Sequence, residues 1–149
     1  MFFKIVVPLD GSSYSEAALK SASFMARAFN AELKLVTVED VPLPIYPGEV
    51  DPEMLNEGRK DHEAYLNTRA HQLREEGCCV TIAVLPPGPP ADRILEEVKR
   101  ERADLIVMGS HGRTGLSRML LGSVAEKLAR QAPCPVMISR QQEVPAGLN

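Results

Sequence analysis

Short apolar runs alternate with longer amphipathic stretches along the chain, the pattern of successive βαβ units. Phe3 to Leu9 reads as the first strand. A helix follows from Ser13-Tyr14-Ser15-Glu16, which has the form of a capping box, Ser13 and Glu16 satisfying amides that a helix start leaves open. Ala18, Ala22, Met25 and Phe29 then recur at helical spacing as one stripe facing a sheet, and Asn30 ends the helix. Glu32 to Glu39 is the second strand. Pro42, Pro44, Pro47 and Pro52 deny both helix and ladder bonding, which makes that stretch a loop. A long helix runs from about Glu53 to Glu76 with Leu55, His62, Leu66 and Leu73 near one face, and Gly77 is placed to cap it. Cys79 to Leu85 is the third strand, and Pro86 to Pro90 is a rigid connection whose last prolines suit the first turn of a helix carrying Ile94, Leu95 and Val98. Asp104 to Met108 is the fourth strand. Ser123 to Ala132 forms the last helix, with a second capping box from Ser123 to Glu126, and Pro135 to Ser139 is the fifth strand. Residues 141–149 form a polar tail beyond a single domain of residues 1–140.

Strand composition ranks burial, because a central parallel strand is covered on both faces and loses its alternation. Ile5-Val6-Val7 and Leu105-Ile106-Val107-Met108 are uninterrupted, whereas the third strand alternates Val80, Ile82 and Val84 with Thr81 and Ala83. The first and fourth strands therefore lie at the centre. With right-handed crossovers this gives an α/β fold, a doubly wound five-stranded parallel sheet of order 3-2-1-4-5 with helices on both faces. Ligands of such sheets bind beyond the carboxyl ends of the strands where the order reverses, here between strands one and four. Pro8-Leu9-Asp10-Gly11 and the segment from Gly109 onward meet there.

The chain has 149 residues, enough for one domain with a substantial core, and 44% of them are hydrophobic. Its 17 basic and 20 acidic side chains leave a net charge of −3, which gives no field to attract nucleic acid or anionic lipid. No apolar run approaches the roughly 20 residues of a membrane span, and the N-terminus lacks the features of a signal peptide. A cytoplasmic location is expected. Three cysteines, two of them the adjacent Cys78 and Cys79, suit reduced thiols better than a disulfide framework. His62, His71 and His111 lack the spacing of a zinc site.

Gly109, Gly112, Gly115 and Gly122 crowd into one segment between a strand and a helix. Without side chains, such a loop lets backbone amides converge on an anion, and Gly122-Ser123 opens a helix whose dipole favours negative charge. A phosphate cradle is one reading, and a turn that needs glycine for its backbone angles is the other. Neither a Walker P-loop nor a Gly-x-Gly-x-x-Gly fingerprint is present. What occurs is Gly109-x-x-Gly112, nine residues, then Gly122-Ser123.

That spacing resembles the ATP-binding signature of the universal stress protein family, and the likeness covers nearly the whole chain. It includes Ile5-Val6-Val7-Pro8-Leu9-Asp10-Gly11-Ser12, the stretch Ala103 to Gly112, and Cys134-Pro135-Val136-Met137-Ile138. The resemblance implies ATP, with Mg2+, bound with its adenine near the ends of strands one and two. On the matching positions Pro8, Leu9, Asp10 and Val38 would bound adenine and ribose, and Gly109, Ser110, His111, Gly112, Arg113, Gly115, Gly122, Ser123 and Val124 would surround the phosphates. Asp10 can accept from ribose hydroxyls or help hold the metal, or can serve an Asx turn at the strand exit. Arg113 and Arg118 are candidates for charge-assisted phosphate contacts, and Tyr46 is a candidate lid over the adenine. His62 reads as a packed histidine rather than a catalytic one.

The resemblance implies a nucleotide-dependent stress-response regulator. No general base or nucleophile stands out, so the chain is not expected to be an enzyme with fast turnover, although slow ATP hydrolysis remains open. An interaction or chaperone-like scaffold of the same fold with an empty site is the alternative. A homodimer through the fifth strand is expected, since Val136-Met137-Ile138 would leave an apolar edge.

Overall fold

The computed structural model describes residues 2–40, 47, 51–111 and 121–140. The elements are β1 (Lys4–Pro8), α1 (Ser13–Phe29), β2 (Glu32–Val38), α2 (Pro52–Glu75), β3 (Cys79–Leu85), α3 (Pro90–Glu101), β4 (Leu105–Gly109), α4 (Ser123–Gln131) and β5 (Val136–Ser139). All strand pairings are parallel and the order is β3-β2-β1-β4-β5, as the burial ranking predicts.

Two cores sandwich the sheet, and strand alternation assigns residues to them. Ile5, Val7, Leu33, Leu35, Leu105 and Val107 face α1 and α2, where Ala18, Ala22, Ala26, Leu66, Ala70 and Leu73 meet them. Val6, Val36, Ile106 and Met108 face α3 and α4, against Ile94, Leu95, Val98, Ala125 and Leu128. Ile5, Val6, Val7, Ile106 and Val107 have no accessible surface at all. Each such side chain contributes about 1.5 to 3 kcal/mol relative to exposure, which favours these strands at the centre. The edge strands are more open: every residue of β5 is half-buried, and Cys79 and Thr81 of β3 are exposed.

Three local expectations need correction. The N-cap of α1 is Ser12, not Ser13: the Ser12 Oγ accepts the Ser15 N–H at 3.2 Å. Glu16 reaches across to α2 instead, accepting from the Tyr65 hydroxyl and from Arg69 Nε at 2.9 Å. The buried stripe of α1 also runs through Ala18, Ala22 and Ala26, while Phe29 is 39% exposed and packs edge-on against Phe2 with ring centroids 5.2 Å apart. At α4 the N-cap is Gly122 with no side-chain bond, so the Ser123–Glu126 box is absent; Glu126 pairs with Arg130 at 2.8 Å. Gly77 does follow the end of α2, with φ of +93° and its N–H donating to the Arg74 carbonyl at 3.0 Å.

A charge network closes the amino-terminal end of the sheet. Lys34 Nζ lies 3.1 Å from Glu97 Oε1 and also bonds Glu101, and Lys4 Nζ reaches Glu101 at 2.8 Å. Hydrogen bonds from Lys34 and then Lys4 hold the Glu101 carboxyl down at about 2. Burial pushes Glu97 up, but the bonds from Arg100 and Lys34 outweigh it and leave that carboxyl below its ordinary value. Asp104 fastens the same end, accepting from the backbone N–H of Phe3 at 2.8 Å and of Lys4 at 3.1 Å.

Candidate functional site

β1 pairs with β2 as far as Pro8, opposite Val36, but with β4 only through Ile5 and Val6. Beyond Val6 the two central strands part, because β1 sends the chain to one side and β4 to the other. The resulting crevice holds a cavity of about 450 Å3, within the usual range of small-molecule sites.

Each wall comes from a different element. Pro8, Leu9 and Asp10 enter from the end of β1, and Val36 to Asp40 from the end of β2. Gly88, Pro90 and Ile94 come from the approach to α3 and its first turns, and Met108, Gly109 and His111 from the end of β4. The first turn of α4 supplies Gly122, Ser123, Val124 and Ala125. Val36, Val38, Ile94, Met108 and Val124 make an apolar flank, whereas Asp10, Glu39 and Asp40 are acidic.

The turn after β1 is pinned by its own side chains. Asp10 Oδ1 accepts the Ser12 N–H at 2.9 Å, the Asx-turn role, and the Asp10 N–H donates to Ser15 Oγ at 3.3 Å. Ser15 is buried, and its hydroxyl donates to the Ser12 carbonyl at 3.0 Å. This net fixes the Asp10 backbone at the cavity while α1 begins.

The start of α4 is the electropositive feature. The Gly122 N–H donates to the Ser110 carbonyl at 2.7 Å, and the Gly122 carbonyl accepts from Glu126 at 2.9 Å. Helix geometry leaves the amides of the first turn without intrahelical partners, and among the described residues no side chain caps them. They stand in the cavity wall at the positive end of the helix dipole.

Gly109 has a reason to be glycine that the cradle reading misses. A Cβ there would lie 2.3 Å from the Tyr14 carbonyl oxygen and 2.6 Å from its carbon. The missing side chain lets the first turn of α1 pack on the end of β4. Ser110 is buried behind the cavity wall with its Oγ 3.1 Å from His111 Nδ1, and the His111 ring lies tilted by 55° to that of Tyr14 with centroids 5.2 Å apart. Thus Pro8, Leu9, Asp10, Val38, Gly109, His111, Gly122, Ser123 and Val124 converge on the cavity. Gly112, Arg113, Gly115, Arg118 and Tyr46 lie outside the described residues, as does the 141–149 tail. His62 lies apart from the cavity lining, half-buried on α2 with its Nε2 3.7 Å from Asp40.

Sequence reasoning missed Ser15, Thr37, Glu39, Asp40, Gly88, Pro90 and Ile94. For Thr37, Glu39 and Asp40 a signal existed: they end a strand whose neighbour opens the switch-point crevice, so they had to stand at its mouth. Gly88 and Pro90 arrive from a long-range crossover, which local pattern does not reveal. Among the described residues, no three His, Cys, Asp or Glu side chains gather as a metal site, and no helix is long and apolar enough to cross a membrane.

The chain as a whole is similar to known proteins. Residues 1–140 match the model of the universal stress protein family. A universal stress protein of Methanocaldococcus jannaschii is 38% identical over 142 residues, covering 95% of this chain and 84% of the relative. Among solved structures, a universal stress protein from Lactobacillus plantarum superimposes with a TM-score of 0.81 at 26% identity, covering 93% of this chain and 98% of that one. A universal stress protein in complex with cAMP superimposes with a TM-score of 0.70 at 28% identity, covering 95% and 99%. The family match over residues 1–140 takes in all the elements that frame the cavity, and the chain belongs to the universal stress protein family.

Proposed function

We propose that this protein binds ATP in the switch-point cavity and works as a nucleotide-dependent regulator of stress responses, without fast turnover. The observation that carries the reading is the uncapped first turn of α4 in the wall of a cavity whose flank is apolar. A nucleotide has matching parts: a flat base for the apolar flank and phosphates for the helix start. The cAMP complex of a relative supports a nucleotide as the ligand class. Asp10 lines the same cavity and supplies one carboxylate, the usual protein share of a Mg2+ site completed by phosphates and water. Gly112, Arg113 and Gly115 complete the proposed phosphate contacts. The regulator acts in the cytoplasm, where its three free cysteines stay reduced.

The proposal extends to a homodimer. β5 ends the sheet with Val136, Met137 and Ile138 half-buried, an edge suited to pairing with a second copy. Light scattering at tens of micromolar tests it, an order of magnitude suited to stable interfaces; a dimer is expected and a monomer contradicts it. For the ligand, mass spectrometry of small molecules released by heating the purified protein is expected to find ATP. Release of a different class of molecule in stoichiometric amount contradicts the nucleotide reading.

A further inference from the structure

Glu39 immediately follows β2, and its carboxylate is in an unusual position. It forms part of the cavity wall, yet its side chain is only 10% exposed. Among the described residues its only side-chain partner is Arg59 Nη1 at 3.9 Å, beyond hydrogen-bonding distance. Arg59 is itself half-exposed and turns its Nε toward Glu63 at 3.4 Å. Its oxygens take no hydrogen bond from a described side chain and border the cavity, where the donors of a ligand can reach them.

Position narrows the donor. In the dinucleotide-binding form of the doubly wound sheet an acidic side chain after the second strand accepts from the ribose 2′-OH, and Glu39 holds the comparable place beside this switch point. Asp10, the other candidate for that role, already commits Oδ1 to the Ser12 N–H. Glu39 therefore offers two oxygens where Asp10 has one engaged in its own turn. Two adjacent oxygens match the two O–H donors of a vicinal diol, and the uncapped helix start of α4 takes the opposite, anionic part of the ligand.

We propose that Glu39 is a specificity-determining residue whose carboxylate accepts from the free 2′,3′-diol of a bound ribonucleotide. The inference rests on the nucleotide reading above and deepens it. It makes the pocket selective for ribonucleotides with both hydroxyls free, against deoxynucleotides and against 3′,5′-cyclic nucleotides, which lack a free 3′-OH. A 2′-phosphate is excluded as well, because it would set negative charge against the carboxylate.

Calorimetric titration of the full chain with ATP, 2′-deoxy-ATP, 3′-deoxy-ATP and cAMP tests it, in the wild type and in Glu39→Ala and Glu39→Gln. The wild type is expected to bind ATP roughly ten- to a hundredfold more tightly than either deoxy form, the usual worth of a hydrogen bond to a charged group. In Glu39→Ala that preference should collapse to within about twofold. Glu39→Gln keeps the shape and tests charge alone; it should lose most of the preference, with an unchanged unfolding midpoint confirming the fold. A diol preference undiminished in both variants overturns the Glu39 assignment and leaves nucleotide binding standing. A wild type that binds none of the four overturns the nucleotide reading and this inference together.

Discussion

Replacing Gly109 by Ala puts a methyl group where the first turn of α1 already stands. The Cβ would sit 2.3 Å from the Tyr14 carbonyl oxygen, 2.6 Å from its carbon and 3.0 Å from the Ser15 nitrogen. Ordinary contact begins near 3.4 Å, so helix and strand must separate by about 1 Å. All three obstructing atoms are backbone, and no side-chain rotation relieves them. They belong to a turn held by Ser12, Ser15 and Asp10 and backed by Ala18 and Ala22, neither of which has accessible surface. Overpacking of this kind costs about 2 to 3 kcal/mol, which for a chain of this size lowers the unfolding midpoint by about 6 to 10 °C. Gly58→Ala is the control, because a Cβ on that α2 residue meets nothing within 4 Å. The same added methyl there should stabilise by about 0.5 to 1 kcal/mol through helix propensity. Urea and thermal unfolding followed by circular dichroism read both variants. If Gly109→Ala unfolds within 0.5 kcal/mol of the wild type, a conventional threshold for a neutral surface change, the close approach of α1 to β4 is not what requires glycine.

Lys34→Met removes the cation between Glu97 and Glu101 and should cost about 3 kcal/mol at neutral pH, the lower end for a broken buried pair because Lys4 and Arg100 remain. The folded Glu101 carboxyl titrates near 2 against an ordinary 4.5, so its stabilisation is complete above about pH 4.5 and falls away as pH drops toward 2. The acid limb of stability against pH should therefore be shallower in Lys34→Met, and an unchanged limb contradicts the network. Burial, followed by the bond to Glu16, pushes the Tyr65 phenol up to about 12. In a phenolate absorbance titration Tyr65→Phe should delete the component near that pH, and loss of an earlier one instead argues against the α1–α2 contact. Asp104→Ala strips the acceptor from two backbone donors at the start of β1 and should cost about 1 to 3 kcal/mol in urea unfolding, whereas Asp104→Asn should recover part of it.

The architecture was legible because burial leaves its mark on composition. Ile5-Val6-Val7 and Leu105 to Met108 lack alternation since both faces are covered, and from those two runs the strand order follows. Helix starts were less legible, because serines crowd both sides of α1. Ser12 and Ser13 each fit a cap by composition, and only the chain's exit angle selects Ser12. At α4 the pattern Ser123–Glu126 imitates a capping box, yet the turn begins one residue earlier at Gly122, which has no side chain to cap it. That misreading matters for function, since a self-capped helix offers an anion less.

The candidate site divides along the same line. Residues that end β1 and β4 were visible from topology, and Gly122, Ser123 and Val124 from the glycine spacing. Gly109 was visible for an incomplete reason: its missing Cβ admits α1 as well as bordering the cavity. Glu39 escaped notice because an acidic residue at a strand end ordinarily marks solvent, and only tertiary packing under α2 encloses it. Local sequence reports a residue's preference for water, whereas enclosure by a distant helix does not appear in it.

Whether the crevice between β1 and β4 binds nucleotide is tested most directly by calorimetric titration of Mg2+-ATP into the wild type and into Gly122→Val. Gly122 has φ of −69° and ψ of 163°, extended backbone that valine adopts readily, so circular dichroism should show the variant folded. Saturable binding to the wild type at one site per chain, lost in folded Gly122→Val, is the predicted result; equal affinity in both proteins, or no binding by the wild type, would contradict it.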